Sequence, residues 1–217
     1  MKPNQRLATL SILGASALAL AACGGLRAGP EPAAAASGRI LATPLADGHT
    51  AEGGFVDGFF FAEKAGDVAI DPVSYASGTV RATGIIDPRH GSTWGGVALT
   101  TSLVRGGRTL DAGSARTVGI SLSSAGSDTL RVRLVGPNTA LRDNGCYPVA
   151  VVRVDAQLKE YTVPIAAFVP ESYCAASAPA GPVVAAALTA VEVADAALSP
   201  GRRRQVDFTV GVIRVLP

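Results

Sequence analysis

From Gly38 onward the chain is a succession of short apolar and β-branched runs separated by turn-forming residues. The runs cover residues 55–61, 68–75, 79–86, 94–101, 116–122, 129–135, 148–155, 160–165, 189–193 and 206–215. Asp87-Pro88, Arg105-Gly106-Gly107, Ala125-Gly126-Ser127-Asp128 and Asp143-Asn144-Gly145 divide them, and these residue types favour turns. Period-two alternation is clearest in Thr129-Leu130-Arg131-Val132-Arg133-Leu134, where Leu130, Val132 and Leu134 share one face and Arg131 and Arg133 the other. Val206-Asp207-Phe208-Thr209-Val210 alternates in the same way. No segment after residue 37 carries a helical stripe; residues 183–190 are ambiguous between a helix and a loop running into a strand. Ten short strands with polar turns predict an all-β, two-sheet antiparallel sandwich or jelly roll over residues 38–217.

The amino-terminal part has a different pattern. Lys2 and Arg6 precede an apolar run over residues 7–22, too short and too rich in alanine for a spanning helix, which reads as a secretory signal over residues 1–22. It closes on Leu20-Ala21-Ala22-Cys23, which resembles the lipobox of bacterial lipoproteins. The resemblance implies cleavage before Cys23 and lipidation of that cysteine. Each buried methylene contributes about 0.8 kcal/mol, so two or three acyl chains hold a domain on a bilayer. Gly24 in place of an aspartate implies the outer membrane if the organism is Gram-negative, and in any case the cell envelope. Residues 24–37, rich in Ala, Pro and Gly, read as a tether.

Removal of the signal changes the charge balance. Lys2 and Arg6 leave with it, and 17 basic and 17 acidic residues remain. A formally neutral chain is no nucleic-acid binder by electrostatics. Arg202-Arg203-Arg204, the one basic run, reads as a hairpin tip. With Cys23 lipidated, Cys146 and Cys174 remain as a pair in an oxidising compartment and are expected to form a disulfide. Two cysteines so far apart, with only His49 and His90 besides, give no metal spacing. No cofactor motif, nucleophile elbow or phosphate loop is present, and the chain reads as non-enzymatic.

Three segments carry a further resemblance. They are Trp94-Gly95-Gly96-Val97-Ala98-Leu99 with Thr117-Val118-Gly119-Ile120-Ser121-Leu122; the strand around Arg131 with Glu160-Tyr161-Thr162-Val163-Pro164; and Leu188-Thr189-Ala190-Val191-Glu192-Val193 before the closing strand. Their order resembles the galactose-binding-like jelly rolls of family-eleven carbohydrate-binding modules, and also the domain of complex I intermediate-associated proteins. The resemblance implies a carbohydrate-binding-like module. Where those modules tend to carry an Asp-His-Phe-Gly-like motif, this chain reads Cys146-Tyr147-Pro148-Val149, and it has one Trp and four Tyr.

A sugar is held by rings stacked on its apolar face and by polar side chains bonding its hydroxyls. Arg131 and Arg133, joined by Arg153 if residues 148–155 pair antiparallel with them as the resemblance implies, are the candidate polar contacts, with Glu192 and Asp207 as acids to balance them. Trp94 and Tyr75 are the candidate rings. The same residues also suit a salt-bridged sheet face and core packing, with Tyr147 and Tyr173 against the disulfide. Asp57, Asp67 and Asp71 are too loosely spaced to argue a calcium site. Two partners besides the membrane stay open: a glycan, or another envelope protein bound by a structural or assembly lipoprotein.

Overall fold

The computed structural model describes residues 38–104, 106, 108–196 and 202–217. The signal segment 1–22, Cys23 and the tether 24–37 lie outside the described residues. The elements are β1 (Arg39–Ala42), β2 (Phe55–Ala62), β3 (Val68–Ile70), β4 (Ser74–Ala76), β5 (Thr79–Ile86), β6 (Gly95–Ser102), β7 (Thr117–Ser124), β8 (Thr129–Val135), α1 (Thr139–Asp143), β9 (Val149–Arg153), β10 (Lys159–Pro164), α2 (Gly181–Ala185), β11 (Ala190–Asp195) and β12 (Arg204–Leu216). All ten expected strands form, with ends moved by a few residues. The run at 68–75 divides into β3 and β4, and the ambiguous stretch at 183–190 becomes α2 and a loop into β11. β1 was not expected; it is four residues long, too short for alternation to register.

The strands build two antiparallel sheets. One has five strands in the order β2-β6-β11-β8-β9. The other has seven: β10-β7-β12-β5-β3, with β1 paired to β12 and β4 to β5. The 13-residue β12 organises the second sheet, because its first half pairs with β5 and its end with β1, while β7 runs along its other side. Between the sheets lie Leu99, Leu130, Val132, Leu134 and Val193 from one layer and Ile120, Leu122, Phe208, Val210 and Ile213 from the other, all essentially inaccessible. The alternation read in β8 is the one observed: Leu130, Val132 and Leu134 are buried, and Arg131 and Arg133 lie on the opposite face.

A charged contact joins the sheets. Asp195, the last residue of β11, is fully buried and meets Arg204 at the start of β12 through two bonds of 2.7 and 2.5 Å. The basic run is therefore divided. Arg202 and Arg203 are exposed, while Arg204 is an inter-sheet ion-pair partner. Cys146 and Cys174 form the expected disulfide, with Cα atoms 5.6 Å apart. It ties the loop after α1 to the segment that follows Val169, which bridges Val149.

Candidate functional site

The outward face of the five-stranded sheet is set by register. Along one rung Phe59 lies opposite Ala98, Ala98 opposite Ala194, Ala194 opposite Arg131, and Arg131 opposite Val151. The next rung reads Asp57, Thr100, Glu192, Arg133 and Val149. Directly opposed residues share a face, so the aromatic side chains of β2 and the arginines of β8 stand on the same surface. Between them β6 and β11 contribute mainly Gly96, Ala98 and Ala194. The result is a trough: a floor of small residues, a wall of Phe59 and Phe61, and a wall of Arg131 and Arg133. The walls are three strand spacings apart, about 14 Å.

The Phe wall is ordered by a glycine. A Cβ on Gly96 would lie 2.9 Å from Phe61 Cζ and 2.6 Å from the Asp195 carbonyl oxygen, so only glycine lets the Phe61 ring lie down against the floor. Phe59 and Phe61 have ring centroids 6.2 Å apart and planes tilted by 39°, a separation usual for interacting rings. Phe59 is 37% exposed. The enclosed part of the trough has a cavity volume of about 20 Å3, room for water rather than a sugar ring. A ligand here rests over the rings instead of entering a pocket.

The arginine wall is charge-balanced. Arg133 Nη1 donates to Glu192 Oε2 at 3.0 Å, and Arg131 pairs with Glu171. Glu171 arrives from the segment that the disulfide fastens. Burial, and after it the adjacent Arg133 charge, push the Arg131 guanidinium below its ordinary range. The Nε of Arg133 is buried without a hydrogen-bond partner. Arg153 stands on the same face at the edge strand β9, exposed.

Other expected site residues lie elsewhere. Tyr75 is on β4 in the opposite sheet, where its hydroxyl donates to the Val56 carbonyl at 3.2 Å and its ring covers Gly48; it faces none of the arginines. Trp94 is 54% exposed but precedes β6 and does not line the trough. Asp207 is also in the opposite sheet and takes Arg81 in a two-bond pair of 2.7 Å each, so Glu192 and Glu171 balance the wall instead. Tyr147 is a core residue whose hydroxyl accepts the Asn138 N–H at 2.6 Å. The Phe59/Phe61 wall is not among the residues expected from the sequence. The signal that marks it is the spacing Phe55, Asp57, Phe59, Phe61, but the Phe59-Phe60-Phe61 run obscures which face is outward.

Asp67 organises a loop rather than a metal site. Its buried carboxylate accepts the backbone N–H groups of His90 and Ser92, both at 3.0 Å, and lies 2.7 Å from His90 Nδ1. Asp71 accepts from Thr83 at 2.9 Å, and among the described residues no three His, Cys, Asp or Glu side chains are grouped to hold a metal. Burial raises the Asp67 pKa, but the bonds from His90 and Ser92 outweigh it and bring it down from 3.8 to about 2. A depressed carboxylate contributes stability that is present above the unfolded value and lost as pH falls through the folded one. Unfolding free energy measured against pH is expected to lose the Asp67 contribution as pH falls from 3.8 to about 2. An Asp67→Asn chain is expected to lack that portion of the slope; equal slopes would exclude the assignment.

No family model matches the chain, and no curated protein sequence matches it. Solved structures do. A family 11 carbohydrate-binding module from Clostridium thermocellum, in complex with a β-1,3-1,4-mixed-linked tetrasaccharide, aligns at a TM-score of 0.51 and 11% identity, over 83% of this chain and 97% of that one. The fold is that of a carbohydrate-binding-module jelly roll. The family 11 module of the cellulosomal cellulase Lic26A-Cel5E of Clostridium thermocellum aligns at a TM-score of 0.49 and 10% identity, over 85% and 97% of the two chains. At such identities the likeness concerns backbone architecture, and the chemistry of this jelly roll has to be read from its own side chains.

Proposed function

We propose that this chain is a non-catalytic, carbohydrate-binding lipoprotein of the cell envelope, taking a neutral glycan across the outward face of its five-stranded sheet. The observation that carries the reading is the trough, in which paired Phe rings face hydrogen-bonding arginines across a floor of Gly and Ala. Rings offer flat apolar surface to the C–H face of a pyranose, and guanidinium groups donate to its hydroxyls. Because Glu171 and Glu192 offset Arg131 and Arg133, the wall favours an uncharged ligand over an anionic one. The jelly-roll fold supports the reading, since a module of that fold holds a tetrasaccharide. Anchoring through Cys23, at the outer membrane where one exists, is supported by the Leu20-Ala21-Ala22-Cys23 sequence and by Gly24.

The test is a screen of neutral polysaccharides with three chains: native, Phe59→Ala/Phe61→Ala and Arg131→Ala/Arg133→Ala. Two stacking rings removed together are expected to weaken binding about tenfold to a hundredfold; because Phe61 is half-buried against Gly96, a thermal melt checks that this variant is folded. The arginine variant is expected to lose binding as well. A native chain inert to every glycan would overturn the reading in favour of an envelope protein partner.

A further inference from the structure

A second recess lies outside the sheet face, between α1 and the segment after Tyr173. The Cys146–Cys174 disulfide forms part of its wall, and its cavity volume is about 620 Å3. That is within the range of small-molecule sites, whereas the trough is too shallow to enclose a ring.

Its lining is free of charge. Asn138, Leu141, Asn144, Tyr173, Ser177 and Pro179 contribute, with alanines and the two cysteines making up the rest. The nearest charges are Arg133, whose Nη2 lies 3.7 Å from where a Gly145 Cβ would stand, and Arg131 beside Tyr173, and both are paired with acids. The polar groups are carboxamides and hydroxyls, each able to donate and to accept. Asn138 Oδ1 is engaged, accepting the Leu141 N–H at 3.2 Å. The Tyr173 hydroxyl donates to the Gly145 carbonyl at 3.2 Å, which fixes the ring while leaving it 67% exposed. Gly145 has φ of +67°, a conformation that suits glycine, and a Cβ there would meet the Tyr173 hydroxyl at 3.0 Å. The recess thus combines a fixed, exposed aromatic ring with uncharged groups that match the alternating donors and acceptors of a polyol.

We propose that this recess is a second binding site, for a single neutral sugar unit such as a chain end or a side branch. It shares no lining residue with the trough, although Tyr173 stands beside the arginine wall. The trough suits a chain lying along the sheet, whereas the recess suits one ring entering beside the disulfide.

The experiment is a titration of the isotope-labelled full chain with glucose, galactose, mannose and N-acetylglucosamine at millimolar concentrations, followed by NMR. Saturable shifts are expected at the Tyr173 ring and at the Asn138 and Asn144 side-chain amides. Tyr173→Ala is expected to weaken that titration about tenfold, the size of one ring contact. Tyr173→Phe, which keeps the ring, should retain most of it, and Asn144→Ala supplies a second variant that spares the ring and the disulfide. Absence of saturable shifts at these residues with any of the four sugars would overturn the proposal. So would shifts confined to Phe59, Phe61 and Ala98, which would support the trough alone. Shifts at the recess with an inert sheet face would separate this site from the proposed function.

Discussion

Asp195→Ala is expected to destabilise the protein by about 3–5 kcal/mol, the usual cost of leaving one member of a buried ion pair behind. Asp195 is wholly inaccessible and Arg204 is held by two bonds of 2.7 and 2.5 Å. Removing the carboxylate takes two charge-assisted bonds from a largely buried guanidinium at the margin of the core. The contact also joins β11 to β12 across the sandwich, so its loss loosens one end of both sheets. Urea unfolding measures this directly. With the usual dependence of about 1–3 kcal/mol per molar, the midpoint should fall by more than 1 M, roughly. The paired replacement Asp195→Leu/Arg204→Met is expected to lose much less, because it removes both charges together. If the single and paired variants unfold alike, the ion pair is not the source of the effect.

Loss of the disulfide is expected to have an effect of comparable size and a second consequence at the surface. Cys146 and Cys174 are 28 residues apart, and closing a loop of that length stabilises the folded chain by roughly 3 to 4 kcal/mol in the chain-entropy account. For a domain of this size that corresponds to a fall in Tm of about 10 °C in the Cys146→Ser/Cys174→Ser chain, read by thermal unfolding. The bridge also holds the segment carrying Glu171 and Tyr173. Without it Arg131 should lose its acidic partner, and the recess beside α1 should lose one wall. Equal melting of the native and serine chains would sink the claim of a stabilising crosslink.

The two expected effects differ in how far the chain announces them. The pair of cysteines is legible by elimination once Cys23 is given to a lipid. The Asp195–Arg204 pair is hidden, because Arg202-Arg203-Arg204 reads as a hairpin tip and Asp195 falls beyond the strand expected at 189–193. Only the return of β12 beside β11 across the core makes them partners. The same division runs through the candidate site. The outward setting of Arg131 and Arg133 follows from period-two alternation, and Glu192 as a counter-charge was a reachable guess. Tyr75 reads as a candidate ring, but its strand joins the other sheet, and no local pattern says which sheet a strand joins. Phe59 and Phe61 are not legible in the same way, because three consecutive phenylalanines give no hint of which ones the edge strand turns outward.

What the sequence determined by itself is therefore local in origin. Alternation of apolar and polar residues specifies strands and their buried sides, turn residues specify where strands end, and together they point to an antiparallel sandwich. Strand order is a property of distant pairings. In the five-stranded sheet β2, β6, β11, β8 and β9 are neighbours although long stretches of chain separate several of them. Only that order sets Phe59 and Phe61 opposite Arg131 and Arg133 over a Gly and Ala floor and sends Asp207 to the other sheet, while the disulfide brings Tyr173 to the loop after α1. Burial of one face is enough to fold a strand, and it leaves open which strands share a sheet. That choice is made by packing across the whole core, and the candidate sites are its consequence.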